Sequence, residues 1–195
     1  MNKIERAIIY AIRACFVILA ALFLIKIIID PNYNKWGGVI AGVGLPFLPV
    51  IIQKIYKSHI SFRIQLVYYV FLFVALDLGI CLDWYKTAPC FDKIIHFGSG
   101  ILSALVGYYG LVYFKIKKAP RGFKFLFIIS VCALVAVGWE CFEFCCDKFL
   151  GQSMQQLVSV GVDDTMFDLI SAFAGSLIGA TLMTTPSFVK MLEKD

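Results

Sequence analysis

The chain has 195 residues, 61% of them hydrophobic and only 16% charged, with a mean hydropathy of +0.85. A soluble domain of this length is about a quarter charged, so the composition excludes an ordinary soluble fold and makes the bilayer the main solvent. The formal charge of +5 does not mark a nucleic-acid binder, because the basic residues sit in short segments between apolar runs, as membrane topology signals do.

A membrane helix needs ~20 largely apolar residues. Runs of that kind are expected at about 8–29, 36–53, 63–82, 93–114, 123–146 and 165–184. They define an all-α polytopic transmembrane bundle of about six spans, read as a single integral membrane domain over residues 1–195. Runs this long exclude a transmembrane β-barrel, whose strands alternate over ~10 residues.

The first run follows Lys3 and Arg6 as a signal peptide would. Arg13 interrupts its start and no small-residue cleavage pattern precedes Asp30, so it reads as an uncleaved span. The second is crowded by Gly37, Gly38, Gly42, Gly44, Pro46 and Pro49. That pattern fits a kinked helix or, more sharply, a broken helix lining a cavity. The third carries Asp77 at depth. It ends near Cys81, which with Cys90 flanks a short loop and could form a disulfide. The seven cysteines contain no CxxC spacing, so they form no zinc framework.

The last three spans carry the ionisable residues. The fourth begins Phe91-Asp92-Lys93-Ile94-Ile95-His96-Phe97, where Asp92 and His96 share a helix face that continues through Ser99 or Gly100, Ser103, Gly107 and Gly110. The fifth ends Trp139-Glu140-Cys141-Phe142-Glu143, with a stripe through Ala136, Glu140, Glu143 and Asp147. The sixth opens Asp163-Asp164-Thr165-Met166-Phe167-Asp168, with a stripe through Asp164, Asp168, Ser171, Gly175 and Gly179. Each stripe is acidic at one end and small or weakly polar beyond it. Small residues let membrane helices approach closely, so the acidic ends are expected to converge. Asp92 and Asp164 also resemble helix N-caps. The connection from Lys148 to Val162, with Gly151, Gln152, Gln155 and Gln156, reads as a connecting loop or as a lid over the site.

Placing both termini in the cytoplasm puts thirteen of the eighteen lysines and arginines on the inner side, as the positive-inside rule requires. The acids then sort independently, ten outside and three inside. The cluster therefore falls near the extracytoplasmic face.

Two carboxylates ~4 Å apart repel by ~4 kcal/mol at an effective dielectric near 20. The converging acids therefore need a cation or shared protons. Lys93, Lys86 and Lys148 are expected to offer little compensation. Asp92, His96, Glu140, Glu143 and Asp168 are the candidate metal ligands; oxygen-rich ligands with one imidazole suit Mg, Mn, Ca or Zn. Asp164 or Glu143 is the candidate catalytic base.

The pieces F-D-K-x-x-H-F (Phe91 to Phe97), W-E-x-x-E (Trp139 to Glu143) and D-T-x-x-D (Asp164 to Asp168) resemble the YjdF-like family of bacterial inner-membrane proteins, and more distantly the VanZ-like family. Order and spacing are kept over roughly residues 63 to 182. The resemblance implies a small multi-pass protein of the bacterial plasma membrane. The VanZ-like relatives are associated with glycopeptide resistance.

Three functions follow. The first is a metal-dependent hydrolase or transferase acting on a lipid or a lipid-linked cell-envelope precursor. No Ser or Cys nucleophile motif appears and the outer half lacks arginine, so a phosphate would be held by metal and lysine. The second is a cation-coupled transporter using the same acids. The third is a non-catalytic membrane component. The bilayer is the partner in all three, and nucleic acid in none.

Overall fold

In the computed structural model the described residues are 1–30, 32–57, 59–88, 90–116, 118–155 and 162–193; they are helices and connections, with no strand among them. The helices are α1 (Lys3–Ile29), α2 (Trp36–Gly44), α3 (Leu48–Tyr56), α4 (Phe62–Leu72), α5 (Trp84–Thr87), α6 (Phe91–Tyr113), α7 (Arg121–Leu150), α8 (Val162–Met183) and α9 (Pro186–Glu193). A 3-10 turn, Leu45–Phe47, joins α2 to α3, and α4 runs on as a π-helical stretch, Phe73–Cys81. Six segments are long and apolar enough to cross a membrane: Lys3–Ile29, Trp36–Tyr56, Phe62–Cys81, Phe91–Tyr113, Arg121–Leu150 and Val162–Met183. They coincide with the expected spans. The main differences are at polar ends, where α1 starts earlier and α7 runs later than hydropathy alone suggests. The Asn2–Glu5 capping box, with both bonds at 2.8 Å, extends α1 at its start.

The chain forms two compact units: residues 1–51, 60–91 and 143–154, and residues 52–59, 92–142 and 155–195. In the first unit the kink of the second span is explained by its prolines. Pro46 and Pro49 donate no backbone hydrogen bond, so the α-helical ladder breaks here, and Leu45 O takes the shorter 3-10 bond from Leu48 N. Tyr68 Oη donates to Leu45 O at 2.8 Å and Tyr69 Oη to Pro46 O at 3.0 Å. Arg13 completes the arrangement, with Nε donating to Tyr69 Oη at 2.7 Å and Nη2 to Gln65 Oε1 at 3.2 Å. An arginine at the centre of a span costs ~2.5–3.5 kcal/mol on insertion scales; here its donors meet a hydroxyl and an amide. The result is a kinked helix whose broken ladder is repaired from its neighbour.

The π-helical stretch closes with an i→i+5 bond from Leu82 N to Asp77 O at 3.0 Å. Asp77 is buried there, and its Oδ2 has no hydrogen-bond partner among the described residues. Gly38 admits this stretch to α2: a β-carbon at Gly38 would lie 2.9 Å from Ile80 Cγ2 and 3.1 Å from Cys81 Sγ.

Polar bonds tie the connections of this unit. Lys35 pairs with Asp83, and Lys86 lies 3.5 Å from the same carboxylate. Burial alone would raise the Asp83 carboxyl, but the bond and charge of Lys35, with Lys86, hold it below its ordinary range. Tyr33 Oη donates to Cys81 O at 2.8 Å. Cys81 and Cys90 are both free thiols. The start of the expected lid is anchored rather than loose. Asn34 Nδ2 donates to Leu150 O at 2.8 Å, Gln152 Oε1 accepts from Gly37 N at 2.9 Å, and Gln152 Nε2 donates to Asn34 O at 3.0 Å. Gly151 supplies the positive φ (+63°) that turns the chain out of α7. The stretch 156–161 of that lid lies outside the described residues.

The second unit is built on the seam between α6 and α8. Its core holds Ala104 and Leu111 of α6, Ile128 and Cys132 of α7, and Ala180 and Met183 of α8, with Phe188 and Leu192 of α9 packed against them. Along the seam the backbones touch. A β-carbon at Gly100 would fall on Ala172 O, and one at Gly175 on Phe97 O; at Gly179 it would lie 2.7 Å from Ala104 Cβ and 2.9 Å from Ile101 O. The buried face of α8 runs Asp164, Asp168, Ala172, Gly175, Ser176, Gly179, Ala180 and Met183, while Ser171 is only partly covered. Close approach of the helices fixes their polar ends in register.

Candidate carboxylate and histidine site

The site of the second unit lies at the first turns of α6 and α8. Both acids expected to cap these helices stand inside them: α6 begins at Phe91 and α8 at Val162, so Asp92 and Asp164 occupy the first turn and are not N-caps. Acids there are favoured by the helix dipole. Helical spacing then brings His96 and Asp168 onto the same faces.

The geometry has two parts. In the first, Lys93 Nζ lies 2.9 Å from Asp92 Oδ2, 2.7 Å from Asp164 Oδ1 and 2.8 Å from Asp168 Oδ1. This corrects the expectation that Lys93 offers little compensation. The four-carbon stem carries the ammonium from a position beside the shared face back into it. All three of its hydrogens can be donated at once.

In the second part, His96 Nε2 lies 3.5 Å from Asp92 Oδ1 and 3.7 Å from Asp168 Oδ1. Its Nδ1 faces Glu140 Oε1 on α7 at 3.8 Å. One ligand atom each from Asp92, His96 and Asp168 lie within 4.8 Å of one another. The histidine contacts are too long for hydrogen bonds. They are near the separation, roughly 3.3–3.6 Å, of two atoms each bound at ~2.0–2.2 Å to one tetrahedral ion. The Asp/His/Asp group could therefore hold a metal.

His96, Asp168 and Glu140 are 5%, 1% and 6% exposed. Neither oxygen of Glu140 has a hydrogen-bond partner among the described residues. Thr165 stands beside it, but its geometry falls short of a bond. Gln155 Nε2 donates to Thr165 Oγ1 at 3.2 Å, which leaves the hydroxyl proton free to point elsewhere. A buried carboxylate is costly unless it is paired or bonded, and a cation bound beside Glu140 would ease that cost.

Of the residues singled out from sequence, Asp92, His96, Glu140, Asp164 and Asp168 thus lie in one cluster in the second unit. Glu143 is buried in the first unit, one turn further along α7. Asp147, also there, accepts from Met154 N at 2.6 Å. Lys93, Thr165 and Gln155 were not among the expected site residues. Thr165 lies inside the D-T-x-x-D motif, and Lys93 follows Asp92, but neither spacing signals the reach of its side chain.

Six apolar helices and polar side chains gathered at the ends of the last three define a polytopic helical membrane protein. Residues 11–186 match the family described as "Predicted membrane protein (DUF2238)", and the chain belongs to that family. It is also 31% identical over 133 residues to a Thermotoga maritima protein described as "Uncharacterized protein". That alignment covers 66% of this chain and 66% of the relative, so the chain spans just under two thirds of that relative's length. No solved structure matches the chain.

Proposed function

We propose that the chain is a single multi-pass domain of the bacterial plasma membrane with both termini cytoplasmic, and that its cluster binds a divalent cation near the extracytoplasmic face to serve a hydrolase or transferase. The motifs shared with the YjdF-like family, and distantly the VanZ-like family, support an envelope setting. The substrate class that fits is a lipid or lipid-linked envelope precursor, because the site lies at the end of apolar helices.

The observation that carries the reading is the Asp92/His96/Asp168 group, with a buried Glu140 that has no hydrogen-bond partner among the described residues facing the same imidazole. Mg, Mn, Ca or Zn would be held by Asp92, His96 Nε2 and Asp168, while Glu140 stands across the ring, at Nδ1, as the carboxylate behind the ligating imidazole. Such an ion supplies Lewis-acid activation of water or of a bound oxygen. His96 turns Nε2 toward Asp92 and Nδ1 toward Glu140, so one ring nitrogen would serve the ion and the other would face a carboxylate. Asp164 is the carboxylate placed to take a proton. Glu143 is assigned to the ligands, or to the base, by its spacing from Glu140 alone.

Elemental analysis of the purified protein beside His96→Ala tests this. About one equivalent of metal is expected in the wild type and a strong loss in the variant. If no stoichiometric metal appears under any loading condition, the reading fails. A second reading, in which the ions only fix helix packing, is favoured by Lys93 bonding to three carboxylates at once. Normal cellular function of a Glu140→Gln/Asp168→Asn double variant would select it.

A further inference from the structure

Lys93 and the candidate metal ligands compete for the same atoms. Asp168 Oδ1 lies 2.8 Å from Lys93 Nζ and 3.7 Å from His96 Nε2. Asp92 turns one oxygen to each, Oδ2 to Lys93 and Oδ1 to His96. An ion bound by Asp92, His96 and Asp168 would therefore sit beside the ammonium, two positive centres on shared carboxylates. Glu140, buried and without a hydrogen-bond partner among the described residues, marks the side of the cluster that Lys93 does not reach. The lysine also has a way out, since its side chain is 31% exposed while those of Asp164 and Asp168 are 6% and 2% exposed.

Resting on the metal-binding reading above, we propose that Lys93 is a tethered counter-ion that a divalent cation displaces from Asp168, and that the displaced ammonium then binds a phosphate group of the substrate at the rim of the site. Without metal, Lys93 holds the α6 and α8 carboxylates together. With metal, the ion takes over that neutralisation. Lysine's long, flexible stem lets the ammonium move by rotamer change, with no helix displaced. Leaving Asp164 at the same time, it frees that carboxylate to accept a proton. One side chain thus couples loading of the ion to creation of the anion contact. No arginine stands near the cluster to supply that contact instead: the sole arginine from Phe91 to Met183 is Arg121, the first residue of α7, nineteen positions before Glu140.

The experiment measures Mn²⁺ binding to the purified full chain and to Lys93→Met, by calorimetry in detergent, with and without inorganic phosphate. It also follows modification of Lys93 in the wild type by a water-soluble amine reagent, read by mass spectrometry. Lys93→Met should bind Mn²⁺ at least roughly tenfold more tightly, because a competing positive charge has gone. Phosphate should tighten Mn²⁺ binding in the wild type only. Mn²⁺ should increase modification of Lys93 several-fold, a readout that does not depend on the variant folding. Equal Mn²⁺ affinity within twofold, or Lys93 modification unchanged by saturating Mn²⁺, overturns the displacement. Phosphate acting alike on both proteins overturns the anion contact. Absence of Mn²⁺ binding in both proteins, and of any change in Lys93, overturns the metal-binding reading as well.

Discussion

Substituting Gly100 by alanine should part α6 from α8 and loosen the cluster above them. The added methyl would fall on Ala172 O and lie 2.9 Å from both Ala172 C and Ser176 N. Carbon contacts rest near 3.5–4.0 Å, and the obstacle is backbone, which no rotamer change can move. The helices must separate by at least ~0.5 Å to relieve the 2.9 Å contacts, and by more to relieve the carbonyl. Overpacking of this kind costs ~1–3 kcal/mol. Gly100 is one turn from His96 and two from Lys93, so the 2.7 and 2.8 Å bonds from Lys93 to α8 must lengthen too. Each charge-assisted bond contributes ~1.5–3 kcal/mol, and loss of part of one brings the expected destabilisation to about 3 kcal/mol after the ~1 kcal/mol that alanine gains over glycine in a helix. Denaturant unfolding in detergent micelles, followed by tryptophan fluorescence, gives the comparison. Gly138→Ala is the control, because nothing lies within 4 Å of a β-carbon there; it should be neutral or stabilising by ~0.5–1 kcal/mol. Gly100→Ala as stable as Gly138→Ala would refute the backbone seam.

Glu140→Gln removes a buried carboxylate that has no hydrogen-bond partner among the described residues. The metal-free protein should gain ~1–2 kcal/mol in the same unfolding assay, while metal content falls; a less stable variant would mean that this carboxylate is paired within the protein. Tyr69→Phe strands Pro46 O and removes the acceptor of Arg13 Nε. It should cost ~2–4 kcal/mol, against ~1 kcal/mol or a little more for Tyr68→Phe, which serves only Leu45 O. The two losses being equal would argue against a role for Arg13. Asp83 has its folded pKa depressed by Lys35, so the folded state resists its protonation. The resulting stabilisation is present above the ordinary carboxylate value of 3.8 and drains away as pH falls below it through the depressed folded value. Unfolding curves of Asp83→Asn should lack that acid-side loss, and curves parallel to the wild type down to pH 2.5 would contradict the pairing.

The six long helices were legible because a bilayer demands a continuous apolar stretch, and the residues from Ile101 to Val112 or from Phe125 to Val137 can be little else. The α6 and α8 stripes were legible for a related reason. Gly100, Gly175 and Gly179 make sense only where another backbone comes close. Gly44, Pro46 and Pro49 announced a disturbed second span, though not that Tyr68 and Tyr69 would repair it, since those residues lie on another helix. Lys93 escaped because spacing places a Cα and not the end of a flexible stem. The π-helical stretch around Asp77 escaped as well, because i→i+5 bonding has no composition of its own. Glu143 follows Glu140 at helical spacing, yet spacing along α7 could not tell which compact unit would enclose it.

The glycine seam has a consequence for how this protein can change. With Gly100 against Ala172 and Gly175 against Phe97, α6 and α8 behave like the jaws of a fixed spanner: the distance between the backbones that carry Asp92 and Asp168 is set by backbone meeting backbone, and repacking of side chains along the seam has little room to change it. Were the cluster to hold an ion, a different radius or a bulkier ligand would be met by side chains around it, Glu140 of α7 among them, and not by a shift of the α6–α8 seam. Variation in what the protein accepts should then concentrate around Glu140, Thr165 and Gln155, while the two opposed helices stay as they are.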